Sequence, residues 1–61
     1  MSIEFTEAEH QELVFLVEER IRTIRTEIAH TNTHDFKVVL KDRELLLEKI
    51  AEKLKARQLV Y

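Results

Sequence analysis

Apolar positions recur along the chain in steps of four and three, and the rhythm breaks once. His10, Val14, Val17, Ile21, Ile24 and Ile28 carry it up to the polar stretch Thr31-Asn32-Thr33-His34-Asp35, and Phe36, Leu40, Arg43, Leu47, Ile50, Leu54, Arg57 and Tyr61 carry it afterwards. Such spacing marks an amphipathic helix packed along one seam. Ile28 and Phe36 are eight residues apart, where an unbroken heptad requires seven. The pattern predicts an all-α, antiparallel two-helix hairpin over residues 1–61, with helix 1 at about 6–30, a turn at about 31–34 and helix 2 at about 33–57. Thr6-Glu7-Ala8-Glu9 has the spacing of a capping box for helix 1. Asn32 or Thr33 is the expected N-cap of helix 2, and Asn32 is the best local candidate for a left-handed residue between the helices, since the chain has no Gly.

A short connection makes the two helices antiparallel neighbours. If facing residue numbers sum to about 64, Ile28 meets Phe36, Ile24 meets Leu40, Val17 meets Leu47, Val14 meets Ile50 and His10 meets Leu54. The same rule sets Glu9 against Lys55, Glu7 against Arg57, Arg20 against Glu44 and Arg22 against Asp42. Arg43 falls opposite Ile21. Either its stem packs while the guanidinium reaches the edge, or it makes a buried contact that specifies register or oligomeric state.

One seam does not use all the apolar residues. Leu13-Val14-Phe15-Leu16-Val17 covers most of a helix circumference. Val38 and Leu45 lie roughly opposite the seam of helix 2, and Val39 and Leu46 widen it. Leu13, Phe15, Leu16, Val38, Val39, Leu45 and Leu46 are therefore the expected interface residues. A homodimeric four-helix bundle or higher helical oligomer would cover several of them.

Composition supports this picture. The chain of 61 residues has no Gly, Pro or Cys, which argues against phosphate-cradling loops, disulfides and thiolate metal sites. With ordering costs of roughly 1.5 kcal/mol per residue, an isolated hairpin of this length is near break-even, and association is the remaining staple. Charged residues are 36% of the chain but leave a net charge of only -2. That suits ion-paired helix surfaces better than a dedicated nucleic-acid binder. No apolar run approaches membrane-spanning length, so the expectation is a cytoplasmic protein with no membrane partner.

Candidate chemistry is sparse. His30 and His34, followed by Asp35, have zinc-ligand spacing on a continuous helix, but the expected turn separates them. Glu7-x-x-His10 and Glu27-x-x-His30 match the spacing of di-metal bundles without the second pair such sites use. Polar capping accounts for these residues, and no metal, other cofactor or catalytic residue is expected. Arg20, Arg22 and Arg25 form the one basic cluster. They are expected either to pair with carboxylates of helix 2 or to contact a phosphate of RNA or of a nucleotide-like ligand in an oligomer. The length and hairpin layout resemble the small dimeric RNA-binding four-helix bundle of plasmid copy-number control, a resemblance of shape that carries over no residue. The expected function is a non-catalytic protein–protein interaction or oligomerisation module: an adaptor, regulator or inhibitor acting through helix faces. A second copy or another protein is its expected partner. The alternative is nucleic-acid or phosphate-ligand binding through the arginine cluster.

Overall fold

The computed structural model describes the backbone of residues 3–58 and the side chains of residues 3–56. Two helices, α1 (Glu7–His30) and α2 (His34–Gln58), pack against each other. The seam positions read at Arg57 and Tyr61, and the pairing of Glu7 with Arg57, lie outside the described side chains. The molecule measures 43 × 21 × 18 Å. Its long axis reflects the helices themselves, since 24 residues rising 1.5 Å each span about 36 Å.

The capping box forms as its spacing predicts. Thr6 Oγ1 accepts from the Glu9 backbone N–H at 3.1 Å, and the Thr6 N–H donates to Glu9 Oε1 at 2.9 Å. Two donors without intrahelical partners are thereby satisfied. Glu7 and Glu9 also place negative charge at the positive end of the helix dipole.

Helix α1 ends without a left-handed residue. Thr31 is extended, with φ -88° and ψ 139°, and no described residue has positive φ. The expectation for Asn32 is thus corrected. An extended residue breaks the helix without the roughly 1–2 kcal/mol that the left-handed region costs a side-chain-bearing residue. The chain then enters α2, where the Thr33 carbonyl accepts from the Lys37 N–H at 3.0 Å.

The helices run antiparallel, because the start of α1 bonds to the end of α2. His10 Nε2 lies 2.7 Å from the Leu54 carbonyl oxygen. A carbonyl can only accept, so Nε2 carries the proton and donates. His10 is 2% exposed, and its Nδ1 has no partner among the described residues. The sum of 64 expected for facing positions holds at this pair.

Farther along, α2 is rotated relative to the expected seam. Its buried or half-buried residues are Lys37, Leu40, Glu44, Leu47, Glu48, Ala51 and Leu54; of these Leu40, Glu44, Leu47, Ala51 and Leu54 form the seam against His10, Val14, Val17, Ile21, Ile24 and Ile28 of α1. Ala51 is 8% exposed, whereas its neighbour Ile50 is 39% exposed. Arg43, Phe36 and Ile50 therefore stand outside the seam, with Glu44 and Ala51 in the places read for Arg43 and Ile50. The physical reason is visible in the residues chosen. A small side chain at Ala51 lets the backbones approach, and the half-buried Glu44 meets Arg25 at the edge of the seam.

Candidate interaction surfaces

One residue on a helix turns the side chain by about 100°. The residues one step before and one step after each seam position therefore form the two flanks of the hairpin. These flanks differ in their chemistry, most clearly on α2.

After the seam come Gln11, Phe15, Glu18, Arg22, Arg25 and Ala29 on α1, and Lys41, Leu45, Glu48, Glu52 and Lys55 on α2. Glu18, Arg22, Arg25, Glu48, Glu52 and Lys55 line one shallow groove, floored by Ile21 and Ala51, so this flank of both helices lies on the same side of the molecule. It is laced with ion pairs. Arg25 Nε donates to Glu44 at 2.8 Å and its Nη2 reaches Glu48 at 3.4 Å, while Lys55 Nζ donates to Glu18 at 2.7 Å. Arg22 pairs with Glu19 within α1.

The hydrogen bond to Glu44, reinforced by Glu48, raises Arg25 above its ordinary range despite some desolvation. The hydrogen bond and charge of Lys55 lower Glu18 below its ordinary range. A lowered carboxylate stabilises the fold above its unfolded-state pKa, and that contribution is lost as the pH falls through the folded-state value. For so exposed a pair the contribution is small.

These contacts revise the expected charge partners. Glu44 pairs with Arg25 instead of Arg20, Lys55 with Glu18 instead of Glu9, and Arg22 stays within its own helix. Arg20 lies 3.5 Å from Glu27, also within α1. Glu44 and Lys55 keep their places on α2, and the change is on α1: Glu18 and Arg25 follow seam positions and share the flank of Lys55, whereas Glu9 and Arg20 precede seam positions and lie on the other flank. All three arginines of the candidate phosphate cluster are thus engaged by carboxylates.

Before the seam the picture reverses. On α2 this flank holds Phe36, Val39, Leu46 and Ile50, exposed at 51%, 55%, 60% and 39%, with Arg43 midway. Their spacing of three, four, three and four is a second complete heptad stripe, a little over a quarter turn from the one packed on α1. Val39, Asp42, Arg43 and Leu46 line a shallow depression on it. On α1 the flank holds Leu13, half-buried, and Leu16, exposed. Arg20 and Glu27 follow as an ion pair.

Four of the expected interface residues, Leu13, Leu16, Val39 and Leu46, thus share one open face. Phe15 and Leu45 stand exposed on the flank after the seam, and Val38 is exposed on another face of α2. Phe36 and Ile50 belong to the open face, not to the seam that periodicity predicts. Periodicity alone could not separate them, because two stripes offset by one residue are equally regular. The charged positions following the seam, Glu18, Arg22, Glu48 and Lys55, are the signal that fixes the rotation.

His30 and His34 are exposed at facing ends of the two helices. Among the described residues, no group of three or more His, Cys, Asp or Glu side chains is placed to hold a metal ion. Nor is any helix among them long and apolar enough to cross a membrane. Compared with protein families, curated proteins and solved structures, the chain matches none.

Proposed function

We propose that this chain is a non-catalytic interaction module that folds by associating: two hairpins lay their open apolar flanks together to form a homodimeric four-helix bundle. The observation carrying this reading is the exposed stripe of Phe36, Val39, Leu46 and Ile50 before the α2 seam, set against the ion-paired Glu48 and Lys55 after it. In a four-helix bundle each helix packs against two neighbours around one core, and α2 carries two apolar stripes suited to that position.

The intramolecular core of the hairpin is thin. Among the described residues its buried side chains are Ile21, Ile24, Leu40, Ala51 and His10, of which Ile24 and His10 are the fully enclosed ones.

Binding of RNA or a phosphate ligand is less well supported. Arg22 and Arg25 already meet carboxylates, and Glu18, Glu48 and Glu52 line the same groove. A phosphate would have to displace those partners and approach uncompensated negative charge.

The two readings separate by mutation. Leu46→Asp is expected to reduce the solution mass to that of one chain, while Arg22→Glu retains the dimer. Sedimentation of both variants checks this. A dimeric Leu46→Asp protein alongside a monomeric Arg22→Glu protein would reject the apolar flank as the contact.

A further inference from the structure

We infer that the second copy docks α2 against α2 in antiparallel orientation, about a two-fold axis between Asp42 and Arg43, and that these two residues select the pairing. This inference rests on the self-association proposed above and specifies its geometry.

Three observations lead to it. The first is continuity. The apolar stripe of α2 extends from Phe36 to Ile50, whereas that of α1 gives way to Arg20 and Glu27 after Leu16. The longer apolar contact is therefore made by α2 with its own copy.

The second is symmetry. A two-fold contact pairs residue i with j and j with i. An axis between residues 42 and 43 brings Val39 beside the partner's Leu46 and Phe36 near the partner's Ile50. Large apolar side chains then meet on both sides of the central Arg43.

The third is charge. Asp35 and Asp42 border the first half of this stripe, and Lys49 and Lys53 border the second. All four, with Arg43, are exposed, and none forms an ion pair among the described residues. A parallel arrangement would set like charges together. The antiparallel one sets Asp35 near the partner's Lys49 and Asp42 beside the partner's Arg43. The Arg43 stem lies over apolar neighbours while its guanidinium reaches the rim, as long basic side chains commonly do. Charges so placed discriminate between pairings more than they add affinity.

The test uses the full chain with reversed charges at these two exposed positions. Arg43→Asp gives two acidic residues per chain at the axis, four in the homodimer, and Asp42→Arg gives as many basic ones. Each variant alone is expected to dimerise at least about tenfold more weakly than the unaltered chain. Mixed in equal amounts, they are expected to form a one-to-one heterodimer. The double variant Asp42→Arg/Arg43→Asp, with the charges exchanged, is expected to recover homodimerisation. Native mass spectrometry separates these species when one variant carries an isotope label. Circular dichroism of the mixture confirms that both chains can fold. If the unaltered chain dimerises and the single variants do so equally well, or the mixture shows no preference for the heterodimer, the antiparallel α2 contact is wrong. An unaltered chain that stays monomeric overturns the self-association reading itself, so the two failures are distinguishable.

Discussion

Replacing Ile24 by alanine is expected to destabilise the protein by about 2–5 kcal/mol, the range for truncating an enclosed aliphatic side chain. Ile24 is the most enclosed side chain of the core, with 0% exposure. It lies on the α1 seam between Ile21 and Ile28, and Leu40 across the hairpin is also buried. The loss combines the transfer free energy of the deleted carbons with the cavity they leave, since so narrow an interface has few neighbours able to collapse into it. Against the marginal stability of so small a fold, such a cost removes most of the helix at low concentration. Urea denaturation followed by far-ultraviolet circular dichroism checks this. A midpoint equal to that of the unaltered protein would mean that Ile24 is not in the core.

Ala51→Leu tests the rotation of α2 and carries the second large effect. Ala51 is buried where the helices approach, and added methylenes there must displace α1 or force strained rotamers. Overpacking of this kind costs about 1–3 kcal/mol. If Ile50 occupied the seam, Ala51 would lie at its edge, and leucine there would be neutral or mildly stabilising, since both residues favour helix. A lower thermal midpoint for Ala51→Leu supports the rotated seam, and an unchanged or raised one supports the register read from periodicity.

Much of the fold is legible in the residue pattern. The single break at Thr31-Asn32-Thr33, the capping box at Thr6 and Glu9, and the meeting of His10 with Leu54 all follow from local chemistry and the heptad count. Those features depend on backbone geometry and on the shortness of the connection, which sequence specifies directly. The rotation of α2 is not legible in the same way. Phe36, Val39, Arg43, Leu46 and Ile50 form one regular stripe, while Leu40, Glu44, Leu47, Ala51 and Leu54 form another, and hydrophobicity alone favours a seam containing Ile50 over one containing Ala51.

What decides between them is tertiary: the small side chain of Ala51 is buried in the seam, and Glu44, Glu48 and Lys55 pair with α1. The rotation of α2 also explains the candidate surface. Phe36 and Ile50 gain their exposure from it, and Arg43 moves from the intramolecular seam to the middle of the open stripe. A register-selecting role for Arg43 therefore passes from the contact between α1 and α2 to the proposed contact between copies.

Solution mass by light scattering across a hundredfold dilution, with helicity followed on the same samples, tests the coupling of folding to association most directly. The account predicts a dimer of twice 7.3 kDa at high concentration that loses helix only as it dissociates. A fully helical monomer throughout the dilution would contradict it, because the thin core between α1 and α2 would then be sufficient by itself.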